Sequence, residues 1–525
     1  MKEIIYVQAG SLANYTGTHF WNTQESYLAE ESADSVHNFD VSFREGLTST
    51  GKPSFCPRLL VFDRKTNFGT LAKNNALLGT NEDELPDEDF PAIWGGDVME
   101  YRQDLIPKST YHVSLDESDD EGLVGVDDDT EESHEDVRYW SDFNRVYYIP
   151  RSVQKIPDPA DWESPEGDWR MGQALFSRYD EDHALMDGSL RLFFEECDSP
   201  QGLQVMNDTA TFGGFINSFL TSVHDEHAKL PCLVFPLLSD AVSRHIDVDD
   251  YQGTKKAVND ALYLRSLNDF ASMTVPIQFP ETWPSEARSQ LLKSERGNVY
   301  RDSAILSAHI ETATLPLRLK GYQSDLSTMS SHLNWRGTTP YSELSGVFPV
   351  EPGVDLEKNL ANFSSCSFDK TRTQSSPFTR IDVTRGFTSS SISAYDRWSS
   401  AQSLQDTFIS RVHAPPYPIP TSYPSFFKAA DGKNSRRPGI LTRPVEISMF
   451  SSLSAGSGSA HLFSAYATAM ETCLQRKFAA ENIGIDSDDL KELATDLWTL
   501  HDNFGDGDGR NAAIERASPL GTDEE

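Results

Sequence analysis

The chain has 525 residues, a length that accommodates two or more domains of ordinary size. Hydrophobic residues make up 38% of it, a low share for a compact globular protein, so part of the chain is predicted to be loop rather than core. Acidic residues number 81 against 45 basic ones, and the formal charge of -36 repels phosphates, which argues against direct binding of nucleic acid.

The first predicted elements are two buried strands with a helix between them. Residues 2–10 form a short apolar run that ends in a turn at Gly10. Residues 14–27 predict a helix, and residues 58–63 are nearly all apolar before a final aspartate. Such a run is typical of an inner strand of a parallel sheet.

An acidic block follows at residues 116–136, where twelve of the side chains are Asp or Glu and no apolar periodicity exists. Like charges at this density repel one another and bury no apolar surface. The block is predicted to be a disordered, solvated loop insertion. A binding role for it is the alternative.

The middle of the chain alternates strand and helix patterns. An aromatic-rich stretch at 139–150 precedes predicted helices at 189–196, 215–227 and 258–270, with an apolar strand at 232–237. Alternation at this spacing predicts an α/β domain built on a parallel sheet.

Beyond about residue 320, serine, threonine and proline become frequent. Residues 413–420 are proline-rich and predict a stiff polyproline II connector, or alternatively a ligand for a proline-reading module. Residues 462–478 carry a helical apolar stripe, and a last helix is predicted from Asp488 with Ser487 as its N-cap. Both stripes are interpreted as core, and residues 505–509 as a frayed end.

The sequence contains only weak indications of other binding sites. Residues 46–52 fit the start of a phosphate-binding P-loop, but Pro53 replaces the serine or threonine that would ligate magnesium. His224 and His227 have a metal-compatible spacing, although a solvated helix face is the preferred interpretation. Residues 502–509 lack the closing glutamate of a calcium loop. The five cysteines are scattered, which argues against disulfides or a zinc site, and no metal is predicted.

No apolar run approaches the roughly 18 residues that cross a membrane. The first residues resemble neither a signal peptide nor a transit peptide. Any association with an organelle is therefore expected to be peripheral or to depend on internal signals.

Several segments, in order, resemble a known family. Their positions are 8–21 (including Gly10, Asn14 and Gly17), 57–63, 139–143, 196–204, 259–262 and 302–318. The opening is similar to that of tubulins, where a strand ends in a small-residue turn facing the nucleotide phosphates. The segments at 139–143 and 302–318 are similar to the Misato family, a non-filament relative of tubulin. The resemblance covers roughly the first 320 residues.

This resemblance implies the fold and the domain organisation. It implies an α/β, tubulin-like N-terminal domain of the nucleotide-binding type with a parallel sheet, followed by a divergent α+β C-terminal region. The implied divisions are a tubulin-like segment at 1–115, the acidic insert at 116–136, the continued tubulin-like domain at 137–320 and the C-terminal domain at 321–525.

The resemblance also implies a degenerate nucleotide pocket. Its candidate contacts are Gly10, Asn14, Gly213, Gly214 and Asn259, with GTP as the ligand if the pocket is used. The differences from tubulins are substantial. Ser11 and Leu12 stand beside the phosphate position, Arg64 and Lys65 follow Asp63 where an acidic residue is usual, and residues 208–215 contain only two glycines. No Asn-Asp-Glu pattern of a water-activating loop is present in the sequence.

The implied function is therefore non-catalytic. The resemblance implies a role in partitioning mitochondria and mitochondrial DNA, and in mitochondrial distribution and morphology. Protein partners, such as cytoskeletal or chaperonin-linked tubulin machinery, are implied, with a location in the cytoplasm and at the mitochondrion. The alternative is a GTP-binding switch or GTPase of the tubulin superfamily. A polymer-forming tubulin is disfavoured by the long insert and the missing loop.

Overall fold

The structure is a computed structural model. It describes residues 2–29, 35–47, 53–72, 107–121, 137–157, 168–242, 250–283, 297–322, 324–350, 353, 355–365, 377–402, 408–424, 446–475 and 485–504. Residues 505–509, interpreted above as frayed, lie outside these ranges, as does most of the P-loop-like stretch.

Strands and helices alternate through the first half of the chain and mix less regularly in the second. The strands are β1 (Glu3–Ala9), β2 (Phe43–Leu47), β3 (Pro53–Pro57), β4 (Leu59–Arg64), β5 (Val153–Ile156), β6 (Pro200–Asp208), β7 (Cys232–Leu237), β8 (Met273–Thr274), β9 (Glu343–Val347), β10 (Ala361–Asn362), β11 (Pro377–Arg385), β12 (Phe408–Ala414), β13 (Tyr417–Pro418), β14 (Glu446–Ile447) and β15 (Met449–Gly456). The helices are α1 (Ser11–Ala29), α2 (Thr110–Glu121), α3 (Trp169–His183), α4 (Arg191–Glu195), α5 (Thr209–Glu226), α6 (Tyr251–Phe270), α7 (Val299–Thr314), α8 (Leu326–Leu333), α9 (Leu356–Asn359), α10 (Ser389–Gln402), α11 (Ala460–Gln475) and α12 (Ser487–Phe504).

The first sheet is parallel throughout its described pairs, in the order β5-β4-β1-β6-β7-β8. All of β1 is buried because both faces of the sheet are covered. Ile4 and Tyr6 face a core shared with α1 and α7, while Ile5 and Val7 face a core shared with α5. The predicted α/β class with a parallel sheet is confirmed, including the strands predicted at 58–63 and 232–237.

Several predicted boundaries are wrong by part of a turn or more. α1 begins at Ser11, directly after Gly10, rather than at residue 14. α6 begins at Tyr251 rather than at residue 258. α5 begins at Thr209 rather than at 215, because Asp208 ends β6 in an extended conformation and helical geometry follows at once. The segment predicted as one helix at 189–196 is a π-helical turn, Leu185–Leu190, followed by α4.

The start of the acidic block is helical rather than disordered, so that part of the prediction is wrong. α2 extends to Glu121, into the block. Asp116 accepts hydrogen bonds from Lys108 Nζ at 2.7 Å and Arg145 Nη1 at 2.8 Å, so two cations offset local repulsion. Residues 122–136 lie outside the described ranges.

The second sheet has the order β10-β9-β15-β11-β12 and is mixed, with β11 and β12 parallel and the other pairs antiparallel. α10 connects β11 to β12. One apolar core contains Ile4 of the first sheet and Leu453 of the second, so the two sheets pack through a common interior.

The proline-rich stretch is not a free connector. His413 belongs to the end of β12. Tyr417 and Pro418 form the short strand β13, which pairs antiparallel with β14. Tyr417 is fully buried, so tertiary pairing overrides the local polyproline preference.

The interpretation of the last two helical stripes as core is confirmed, and the core that they form includes α6. Leu490, Leu493, Leu497 and Leu500 of α12 are buried beside Met470 of α11. The predicted N-cap is wrong by one residue. The carboxylate of Asp486, rather than Ser487, accepts the backbone N–H bonds of Asp488 and Asp489, at 2.9 and 2.8 Å. Phe478 lies outside the described ranges.

Candidate nucleotide-type site

The candidate site lies at the carboxyl ends of β4, β1 and β6, three neighbouring strands of the first sheet. In open parallel sheets, ligands bind at this edge, where the following helices direct their N-termini. Gly10, Asp63 and Asp208 stand at or next to these strand ends.

Gly10 permits an unusually close contact between two of these strands. Its φ of +100° suits glycine, and a Cβ there would lie 2.6 Å from the carboxyl carbon of Asp208. Gly10, which is predicted to contact a phosphate, therefore lies against a carboxylate of the same chain.

Asp208 occupies the N-terminus of α1. Its Oδ2 accepts the backbone N–H of Leu12 at 3.0 Å and its Oδ1 accepts that of Ala13 at 2.9 Å. These are the free donors of a helix start, and the helix dipole favours a negative group there. Because both N–H groups already donate to Asp208, they are not available to a bound anion.

The environment of Asp208 opposes its ionisation. Burial raises its pKa from 3.8 to about 7, although the two backbone N–H bonds act in the opposite direction. The charge of Asp63 adds to the increase. Asp208 therefore titrates near neutral pH.

Asn14 is bonded inside the protein rather than directed at an open pocket. Its Nδ2 donates to the Asp63 carboxylate at 2.9 Å and to the Phe62 carbonyl at 3.0 Å. Trp140 Nε1 and Asn67 Nδ2 also donate to Asp63, at 3.0 and 2.8 Å. The buried Asp63 carboxylate thus accepts hydrogen bonds from three side chains, and burial raises its pKa.

Gly213 and Gly214 lie within α5 rather than in a loop, on its buried part. A Cβ on Gly214 would lie 2.3 Å from the Trp169 carbonyl oxygen of α3, and a Cβ on Gly172 would lie 3.0 Å from the Phe215 nitrogen. These glycines allow α3 and α5 to approach closely. A helical backbone also has its N–H groups committed to helical bonds, unlike a phosphate loop.

The two adjacent glycines are expected to respond oppositely to alanine. Gly214→Ala should lower the free energy of unfolding by about 2 kcal/mol, because the new methyl meets backbone that cannot rotate away. Gly213→Ala is the matched control, since its Cβ has 3.7 Å to the nearest atom, and it should stabilise by up to about 1 kcal/mol. Urea unfolding measures both, and equal effects would contradict the packing role of Gly214.

Asn259 lies in α6 and is buried next to a second internal carboxylate, Asp260. Asp260 accepts bonds from the Thr209 hydroxyl, from Ser239 Oγ and from Tyr466 OH of α11 at 2.8 Å. Burial raises the pKa of Asp260 to about 6. This carboxylate joins the start of α5 to the C-terminal helices.

The structure therefore groups Gly10 and Asn14 with Asp63 and Asp208, and places Gly213 and Gly214 against α3. Sequence reasoning missed Asp208, Asp260 and Trp140. The place of Asp208, at the end of an apolar strand and immediately before a helix, predicts an N-cap of α5, but its side chain makes no capping bond to α5 and bonds to α1 instead. The partners of Asp260 and Trp140 are too distant in sequence for such a signal.

The two histidines of the predicted helix face, His224 and His227, pack on different aromatic rings. His224 packs its ring on Phe270, with 5.6 Å between ring centroids, and His227 packs on Phe194 at 4.6 Å. Within the described residues, no group of three His, Cys, Asp or Glu side chains is arranged to hold a metal ion. Within the same residues, no helix has the length and apolarity needed to cross a membrane.

The fold and the position of this site define a tubulin-like protein, and family models agree. Residues 2–117 match the Misato Segment II tubulin-like domain, and residues 129–319 match a Tubulin domain. The expected tubulin-like fold is thereby confirmed.

Relatives identify the family. The chain is 34% identical over 359 residues to Protein dml-1 of Neurospora crassa, covering 67% of this chain and 63% of that protein. It is 32% identical over 410 residues to Protein dml1 of Aspergillus clavatus, covering 74% and 77%. Protein misato of Drosophila melanogaster is 28% identical over 353 residues, covering 61% and 60%. The chain belongs to the Misato/DML1 family.

Proposed function

We propose that this protein is a non-catalytic scaffold on a tubulin-like fold, whose nucleotide-type site is closed by its own side chain. The observation that carries the proposal is the Asp208 carboxylate bonded to Leu12 and Ala13 at the N-terminus of α1. A phosphate would have to displace it and break both bonds. If the carboxylate remained nearby, its charge would also repel the phosphate.

The surrounding contacts support the same proposal. Asn14 has both amide hydrogens bonded to β4 groups, and Gly214 is committed to helix packing. Nucleotide binding would therefore require rearrangement at several positions. A protein that holds this site closed acts through contacts with other molecules rather than through turnover.

The cellular role that we propose is the partitioning of mitochondria and mitochondrial DNA, with effects on mitochondrial distribution and morphology. Membership of the Misato/DML1 family supports it. We further propose protein partners, such as cytoskeletal or chaperonin-linked tubulin machinery, met in the cytoplasm or peripherally at the mitochondrion. The chain has 81 acidic and 45 basic residues, and this acidic excess favours partners with basic surfaces overall.

A GTP-binding switch is the second candidate function. It is favoured by Gly10 and Asn14, which lie at the strand ends where tubulin-like proteins bind nucleotide. The raised pKa of Asp208 also makes the neutral form of this side chain accessible near pH 7. In that form the repulsion of phosphate is removed, although the carboxyl group still fills the helix start.

Nucleotide content separates the two candidates. The purified protein is denatured, the supernatant is separated on an anion-exchange column, and the native protein is titrated with GTP and magnesium. We expect no stoichiometric nucleotide and no binding at millimolar GTP. Asp208→Ala opens the helix start and is the informative variant, with Asp187→Ala, at an exposed position, as the control. Stoichiometric GTP or GDP on the wild-type protein would favour the switch and reject the closed site.

The mitochondrial role is tested separately by depletion in the cells that make the protein. We expect unequal inheritance of mitochondria and loss of mitochondrial DNA in daughter cells, measured by DNA copy number and imaging. Re-expression of the wild-type chain should restore both. Normal copy number and distribution after complete depletion would reject this role.

A further inference from the structure

β12 is the outermost strand of the second sheet within the part of the chain that the structure describes. It pairs with β11 along one side, from Phe408 opposite Thr379 to Ala414 opposite Arg385. Phe408, Arg411 and His413 on this strand are exposed. A strand with one free side is a template on which an extended peptide can add.

The backbone geometry shows which groups face the free side. The carbonyl of Ala414 accepts from Gly386 N at 3.0 Å, so Ala414 and its alternate neighbours direct their backbone groups toward β11. Ile409, Arg411 and His413 therefore direct theirs away. Tyr322 OH donates to the Arg411 carbonyl there, at 3.2 Å, and no other described residue bonds to the backbone on that side of β12. Tyr322 thus makes one of the bonds that an added strand would make.

Aromatic side chains lie beside this edge. Trp335 is 51% exposed and Phe408 is 57% exposed, and their ring centroids are 5.8 Å apart. Tyr322 is 43% exposed. Large exposed aromatics in contact with one another mark interaction sites more often than single exposed apolar residues do. Together with Arg336, Phe378 and Arg411, these residues are called the edge patch below.

The charge of the edge patch is opposite to that of the whole chain. The Arg336 guanidinium lies 3.8 Å from the centroid of the Phe378 ring and 5.6 Å from that of Trp335, and it has no carboxylate partner among the described residues. Arg411 is near one carboxylate, Asp396, at 3.7 Å. A guanidinium stacked on an aromatic ring keeps its N–H edge available for a carboxylate. The complement of this patch is therefore acidic, although the chain carries a net charge of -36.

We propose that the edge patch binds an extended, acidic peptide segment of a protein partner, which adds as a strand beside β12. Backbone hydrogen bonds would form with Ile409 and His413. A large apolar side chain of the peptide would lie on Trp335 and Phe408, and a carboxylate would pair with Arg336. This surface is separate from the closed site at Asp208, so the two proposals can fail independently.

A pair of matched peptides tests the proposal on the full-length protein. One fluorescein-labelled peptide alternates glutamate and valine around a central phenylalanine, and the other replaces each glutamate with lysine. Fluorescence anisotropy should show at least about tenfold tighter binding of the glutamate peptide. The net charge of the chain predicts the reverse order, so nonspecific attraction cannot produce this result.

Variants locate the binding. Phe408→Ser and Arg336→Glu should each weaken binding of the glutamate peptide about tenfold. Tyr147→Ser is the control, because Tyr147 is 58% exposed and lies outside the edge patch. Bound peptide should also slow hydrogen exchange at the amides of Ile409 and His413. No binding of the glutamate peptide, equal or tighter binding of the lysine peptide, insensitivity to both variants, or unchanged exchange would each overturn the proposal.

Discussion

Replacing Arg385 with methionine is expected to lower the free energy of unfolding by about 3–5 kcal/mol, because it leaves the buried Glu311 carboxylate without its strongest partner. Arg385 is fully buried, and its Nη1 donates to Glu311 Oε2 at 2.7 Å and to Tyr27 OH at 2.7 Å. Its Nε and Nη2 donate to the carbonyls of Pro415 and Pro416, at 2.9 and 3.0 Å.

This network joins parts of the chain that are far apart in sequence. Tyr27 belongs to α1, Glu311 to α7 and Arg385 to the end of β11. Arg318, which is 2% exposed, adds a second cation, with Nη2 3.4 Å from Glu311 Oε1. The network therefore attaches the second sheet to the first, and breaking it should weaken both.

Urea unfolding followed by tryptophan fluorescence measures the effect. Lys358→Met is the matched control, because its 3.4 Å pair with Asp355 is exposed and should contribute less than about 1 kcal/mol. The double variant Glu311→Gln with Arg385→Met should not recover the loss, because it leaves the buried guanidinium of Arg318 without its carboxylate. A change below about 1 kcal/mol in Arg385→Met would contradict the structural role of the pair.

The pH dependence of this pair has a defined sign. Burial alone would raise the pKa of Glu311, but the charges of Arg385 and Arg318 hold it below the usual value of 4.5. A lowered pKa in the folded state stabilises above the unfolded value, and that stabilisation is lost as the pH falls through the folded value. The pair therefore contributes fully at neutral pH.

The sequence was sufficient to predict the parallel sheet because its central strands are recognisable by themselves. β4 and β7 are nearly continuous apolar runs, and β1 is a mostly apolar run that leads into a glycine turn, local patterns that need no knowledge of the partners. The stripe of α12 was equally readable, since Leu490 and Leu497 repeat at helical spacing.

The arrangement of the site could not be predicted in the same way. Asp208 bonds to Ala13 across 195 positions, and Tyr466 bonds to Asp260 across 206. Such pairs depend on tertiary packing rather than on spacing in the sequence. Gly214 illustrates the same limit, because a glycine needed for helix packing and a glycine needed for a phosphate loop are identical in sequence.

The protonation of Asp208 makes the free energy of unfolding depend on pH. Its folded-state pKa of about 7 lies above the ordinary value of 3.8. Between these two pH values the folded protein retains a proton that the unfolded chain has released. Stability from this group is therefore greatest at or below about pH 4, falls as the pH rises through 7, and does not change further above that.

Replacing Asp208 with asparagine is expected to remove this dependence. Relative to Asp208→Asn, the wild-type protein should lose about 3 kcal/mol of unfolding free energy between pH 5 and pH 8.5, because each unit of pKa difference is worth about 1.4 kcal/mol. Both proteins retain Asp260, whose pKa is also raised, so its contribution cancels in the difference. Urea unfolding at the two pH values provides the measurement.

Asp187→Asn, at an exposed position, is the control for the loss of one negative charge and should follow the wild-type profile. Parallel profiles for wild type and Asp208→Asn would mean that the pKa of this carboxyl group is not raised at the start of α1. The closed site would then lose its physical basis, independently of whether nucleotide is found on the protein. A slope that disappears only in Asp208→Asn would locate a half-buried, titrating carboxylate where a tubulin-like fold otherwise presents free N–H groups to a phosphate.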